Sequence, residues 1–91
     1  MEQKIANLIK KYYKTAKVYS VTMEDSLEFG EDCAVVIECV AGRNYPYIAL
    51  RILNAFPSVK YVEFTGGWVE AIYTRGTLKL AGYKVKEFKT K

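Results

Sequence analysis

Glu38, Glu63 and Glu70 stand among apolar and aromatic residues instead of charged runs, so they are the side chains where chemistry is sought first. Two of them bracket the stretch "EFTGGWVE", Glu63 to Glu70. If the chain folds back at Gly66-Gly67, the two glutamates meet across a hairpin beside Trp68, the sole tryptophan. Like charges placed directly opposite are unfavourable, so this pairing demands a cation, a partner surface or simple hydration. Carboxylates gathered on a sheet can hold Mg²⁺ or Mn²⁺ and cut phosphodiesters, but no further acidic ligand or catalytic lysine spacing completes such a site. The chain has no histidine, which removes Ser-His and Cys-His nucleophile arrangements and the commonest general base near neutral pH. No catalytic residue, metal site or cofactor is therefore expected, and a carboxylate-metal nuclease ranks last among the functional readings.

The cysteines offer no alternative chemistry. Cys33 and Cys39 lie in "CAVVIECV", which reads as a strand; six positions apart they share a face but stand roughly 20 Å from one another, too far for a mutual disulfide. They read as reduced, buried small hydrophobes. The acidic stretch "EDSLEFGED", Glu24 to Asp32, lacks EF-hand spacing and reads as a solvated connection.

The net charge of +4 conceals a polarised chain. That acidic stretch contains five carboxylates and no basic residue, leaving +9 for everything else (4 plus 5). Lys4, Lys10, Lys11, Lys14 and Lys17 gather at one end of the sequence; Lys79, Lys84, Lys86, Lys89 and Lys91 gather at the other. Lysine clusters attract phosphate backbones and an acidic loop repels them. Low glutamine (one) and high lysine form a compositional tendency of proteins from hot environments. No apolar run approaches the ~20 residues of a membrane span, and "MEQKIANLIKKYYK" has no signal-peptide pattern, so a cytoplasmic protein is expected.

The elements that must position these residues can be read from periodicity. Ile5, Leu8, Ile9 and Tyr12 mark an amphipathic helix with its lysines on the other side. "AKVYSVTM" and "CAVVIECV" read as strands. In "AGRNYPYIALRILNAFP", Asn44 is the expected N-cap, Pro46 sits in the first turn, and Ala49, Ile52, Leu53 and Phe56 form the buried stripe of a second helix stopped by Pro57. "SVKYVEFT" and "WVEAIYT" are strands joined by Gly-Gly, and after "RG" the stretch "TLKLAGYKV" reads as another strand. The 91 residues are expected to make a single domain, 1–91, with 85–91 a basic tail. Its expected class is α+β: a two-layer sandwich with two helices on one face of a four- to five-stranded, mainly antiparallel sheet, ferredoxin-like or related. The strand, helix and "FPSVKYVEFTGGWVEAIY" hairpin between Cys33 and Arg75 loosely resemble the strand-helix-hairpin half of the ACT and RAM regulatory domains. That resemblance spans under half the chain and carries no effector-binding signature.

A two-residue turn at Gly66-Gly67 pairs Phe64 with Val69, Glu63 with Glu70 and Tyr61 with Ile72. Val62, Phe64, Val69, Ala71 and Tyr73 then face the core. Continuing the meander adds Leu78 and Leu80 to that face and puts Lys79 diagonal to Glu70. The helix-free face would bear Tyr61, Glu63, Trp68, Glu70, Ile72, Lys79 and Tyr83, with Glu38 beside them. Such a patch marks a protein interface, and an acidic-aromatic one suits a basic partner. The expected function is a non-enzymatic intracellular interaction module, self-associating as a homo-oligomer through this face. The alternative is nucleic-acid binding through Lys10, Lys11, Lys14, Arg43, Lys84 and Lys86, with exposed aromatics stacking bases.

Overall fold

The computed structural model describes residues 1–66 and 70–88. Its elements run in the order α1 (Glu2–Tyr12), β1 (Lys17–Ser26), β2 (Gly30–Val40), α2 (Tyr45–Ala55), β3 (Tyr61–Thr65), β4 (Ala71–Thr74) and α3 (Arg75–Leu80), with one 3-10 turn at Gly42–Asn44. The four strands form one sheet in the order β1-β2-β3-β4, so the α+β expectation holds. The mainly antiparallel, ferredoxin-like form does not. β1–β2 and β3–β4 are antiparallel, but β2 and β3 are parallel hydrogen-bonded neighbours across α2, making the sheet mixed. A split βαβ unit would insert a strand between that pair.

Apolar periodicity builds the core. Ile5 and Ile9 of α1, Ile48, Ala49, Ile52 and Leu53 of α2, and Leu78 of α3 meet Val35, Ile37 and Cys39 of β2 and Val62 and Phe64 of β3 in one buried cluster. Tyr12, expected at the end of the α1 stripe, lies exposed because the helix stops there and Tyr13 turns the chain. Tyr45 fastens the β2–α2 connection: its hydroxyl donates to the Cys39 carbonyl at 3.1 Å and accepts from the Ala41 amide at 3.2 Å. Its ring packs edge-on against Phe64, centroids 5.1 Å apart. Asn44 does occupy the N-cap, although its side chain makes no capping bond.

Side-chain hydrogen bonds explain why the acidic connection is much shorter than its charge suggests. Ser26 Oγ accepts from the amides of Glu28 and Phe29, and the Asp25 carboxylate accepts from the Asp32 amide at 2.9 Å. These local bonds close a tight turn, so β1 and β2 run on through most of "EDSLEFGED".

The segment after β4 is a helix, where a strand was expected. Thr74 and Thr77 form a reciprocal capping box: the Thr74 hydroxyl accepts from the Thr77 amide, and the Thr77 hydroxyl accepts from the Thr74 amide. Gly82, at φ +94°, ends the helix, with the Tyr83 amide bonding the Leu78 carbonyl and the Gly82 amide bonding that of Lys79. Helical spacing buries Leu78 but leaves Leu80 91% exposed, so only one of the two leucines reaches the core. Beyond the helix, the chain through Phe88 is no free tail. Asn54 of α2 donates to the Lys84 carbonyl at 3.2 Å and accepts from the Lys86 amide at 2.8 Å, while Val85 packs on the core.

Arg75 fastens this last third to the middle of the molecule. Its guanidinium donates to the carbonyls of Leu53 and Val59, both at 2.6 Å, and of Phe56 at 3.1 Å. Those carbonyls belong to the end of α2 and the turn into β3, where a helix leaves acceptors unsatisfied. Phe88 covers the cation, its ring centroid 5.1 Å from the guanidinium carbon. Arg75→Ala is expected to lower unfolding free energy by about 1.5–3 kcal/mol, the range for hydrogen bonds to a charged group. Arg75→Lys should recover only a minor part, because a compact ammonium does not reproduce the planar fork. Urea denaturation of the three proteins measures this, and an Arg75→Ala midpoint equal to wild type would remove the role.

Candidate functional site

Strand register builds the helix-free face in four rows. Glu24, Ala34, Tyr61 and Thr74 form one; Thr22, Val36, Glu63 and Ile72 the next; Ser20, Glu38 and Thr65 the third; Lys17 and Val40 the last. The β3–β4 register differs from the two-residue turn. Phe64 pairs with Ala71 and Glu63 with Ile72, so Glu63 and Glu70 are not opposite one another. A slip of two residues preserves side-chain parity, which is why Val62 and Phe64 remain on the core face and Tyr61, Glu63 and Ile72 on the open one. Gly66, at φ +102°, takes a backbone conformation that suits glycine just after β3. Trp68 and Val69 lie outside the described residues.

Of the expected interface residues, Tyr61, Glu63 and Ile72 are therefore neighbours on this face, and Glu70 is exposed just before β4. Lys79 and Tyr83 are not part of it. Lys79 sits on α3 and pairs with Glu87 at 2.6 Å, an ion pair that raises the lysine pKa and lowers that of the carboxyl. Tyr83 comes after α3 and packs edge-on against Tyr47 of α2, ring centroids 5.6 Å apart, because the helix carries the chain back across the helical layer.

The carboxylates on the open face are held by hydroxyl neighbours. Tyr61 donates to Glu63 at 3.2 Å, and Ser20 donates to Glu38 at 3.4 Å. Partial burial, then the charge and hydrogen bond of Glu63, then the charge of Glu24 push the Tyr61 phenol above its ordinary pKa. Among the described residues no three acidic or thiol side chains converge to hold a metal ion. What the face offers is a half-apolar surface with several carboxylate acceptors and one lysine, Lys17, at its edge.

The helical side has the opposite character. Lys10 and Lys11 end α1, Lys14 comes just after it, and Lys84 and Lys86 are backbone-bonded to Asn54 on α2; Arg43 lies apart, in the 3-10 turn after β2. Between α1 and α2 opens a cleft of about 440 Å³ lined by Tyr12, Tyr13, Tyr47, Leu50, Arg51 and Asn54, among others. Arg51 stacks on Tyr12, its guanidinium carbon 3.7 Å from the ring centroid, and its Nε donates to the Tyr13 hydroxyl at 3.3 Å. The sequence does not mark Arg51, Tyr13, Tyr47 or Asn54 as site residues, and it places Tyr12 only in the apolar stripe of α1. The available signal was the proximity of paired tyrosines to cations in "KKYYK" and "RNYPY".

Both cysteines are buried and unpaired, as their spacing requires. Burial pushes the Cys39 thiol up to about 11 from 9.0. Because the unfolded chain releases this proton first, the thiol form contributes full stability below pH 9 and progressively less as pH rises to about 11. Stability measured by urea at pH 8 and pH 10.5 should fall, and Cys39→Ala should reduce the size of that fall by about 2 kcal/mol at most. An identical fall in the variant would mean that Cys39 is not its source.

No protein-family model, curated protein or solved structure matches this chain.

Proposed function

We propose that this chain is a non-enzymatic interaction module that self-associates, the acidic helix-free face of one copy docking on the lysine-rich helical side of the next. One observation carries the reading: the carboxylates Glu24, Glu38 and Glu63 share a sheet face, on which no described element packs, with the half-buried Tyr61 and the 55% exposed Ile72, in a chain whose net charge is +4. An apolar residue fringed by acceptors gains most from a basic partner. Face-to-face pairing by a two-fold axis would set these carboxylates against their own copies. Docking on Lys10, Lys11 and Lys14 instead matches opposite charges, and such a head-to-tail contact closes into a ring or propagates as a filament.

Light scattering on a sizing column tests this. The expected mass exceeds the single-chain 10.4 kDa at low ionic strength and falls towards it as salt is added. Glu38→Lys/Glu63→Lys and Lys10→Glu/Lys11→Glu should each be monomeric, and mixing the two variants should restore association. A single-chain mass for the wild type at high protein concentration and low salt would overturn the reading.

A second reading, nucleic-acid binding from the helical side, is favoured by the gathering of Lys84, Lys86, Arg51 and exposed tyrosines along α2. Lysines would meet the phosphates and tyrosines the bases. A gel shift with a single-stranded oligonucleotide should appear at low salt, weaken as salt rises, and weaken further for Lys84→Glu/Lys86→Glu. No shift at low salt would remove this reading.

A further inference from the structure

The cleft between α1 and α2 is a different feature from the acidic face, and its chemistry is more specific than a general basic patch. We infer that it binds a nucleotide, with the base laid against its tyrosines and the phosphate met by Arg51. Three observations support this. Its volume of about 440 Å³ falls within the size range of sites for small organic ligands. Its polar lining includes Arg51 and Asn54 but no carboxylate, so an anion entering it meets a cation and no repelling charge. The exposed Tyr47 lines the same opening as the Arg51 guanidinium stacked on Tyr12.

Arg51 is already oriented without a ligand. Stacking on Tyr12 and the Nε bond to Tyr13 hold its plane, while its two Nη groups have no acceptor among the described residues. A guanidinium held by one edge leaves the other edge for a bidentate contact with phosphate. Its flat side, like the tyrosine rings, is a stacking surface for a base. Lys11 stands beside it, its ammonium 5.3 Å from the Tyr12 ring centroid, and adds a second positive charge at the rim. Asn54 and Tyr47 are in turn braced by the chain after α3, through Lys84, Lys86 and Tyr83. The lining is thus fixed from the side away from α1. This inference rests on neither proposed function, since it requires no second copy and no polymer.

Isothermal titration with adenosine monophosphate, adenosine and inorganic phosphate tests it. Adenosine monophosphate should bind at least tenfold more tightly than either fragment. Arg51→Gln should weaken it at least tenfold while leaving adenosine unchanged, and Tyr47→Ala should weaken it while leaving phosphate unchanged. Raising salt on the wild type reads the same cation without a substitution: nucleotide affinity should fall and adenosine affinity should not. No saturable binding of the nucleotide, equal affinity for phosphate alone, or salt-independent binding would each overturn the inference. Oligonucleotide binding without mononucleotide binding would overturn it too, and would leave the basic surface as the explanation.

Discussion

A planar cation binding three main-chain oxygens is the constraint on which the rest of this fold hangs. Arg75 reaches from the first position of α3 to Leu53, Phe56 and Val59, and so joins the end of α2, the entry to β3 and the exit from β4 at a single point. Burial lowers the pKa of this guanidinium, the cost of withdrawing a charge from water, and the carbonyls offset it. Nε remains without a partner among the described residues, so the satisfaction is incomplete on one side. Because β4 is only four residues long, its own ladder is a weak anchor for the helix and chain beyond it. The arginine, with Phe88 over it and Leu78 in the core, supplies the rest.

That fastening also decides which surfaces stay open. The chain beyond β4 turns back over the helical layer instead of extending the sheet, so Tyr83, Val85 and Phe88 support the helix side. No described element packs on the opposite face of the sheet, and its acceptors come from rows set by strand register. Glu24, Glu38 and Glu63 collect on that face together with Lys17, while Lys10, Lys11, Lys84 and Lys86 gather on the helical side, with no ion pair between the two among the described residues. The Lys79–Glu87 pair is exposed and adds little to stability.

The elements with strong periodicity were legible from sequence: α1, α2 and the strands around Val35 and Phe64 match apolar spacing closely. Pro46 inside the first turn and Pro57 past the end bounded α2 to within a few residues. Two departures share a physical cause. "TLKLAGYKV" alternates apolar and polar residues for four positions, which a strand and a helical turn satisfy equally well; the Thr74–Thr77 capping box and the Ala81-Gly82 stop decide for helix. At "EFTGGWVE" two glycines suggested the shortest turn, and the paired strands instead stop at Phe64 and Ala71. Parity survived that change, so the face assignment of Glu63 stood while its partner did not.

By itself, then, the sequence determined what is local or periodic: the amphipathic faces, the polarised charge, the burial of both cysteines, and the absence of histidine chemistry. Tertiary structure decided what depends on residues far apart in the chain. Glu63 beside Val36 and Ile72, Arg51 on Tyr12, Asn54 on Lys84 and Lys86, and Arg75 on the end of α2 all join segments whose separation no spacing rule fixes. The physical reason is that a periodic pattern specifies which side of an element is buried, whereas the partner it meets depends on how the elements cross and pair. Parallel pairing of β2 with β3 is the clearest instance, since the same two strands could carry the same residues to the same core in another order.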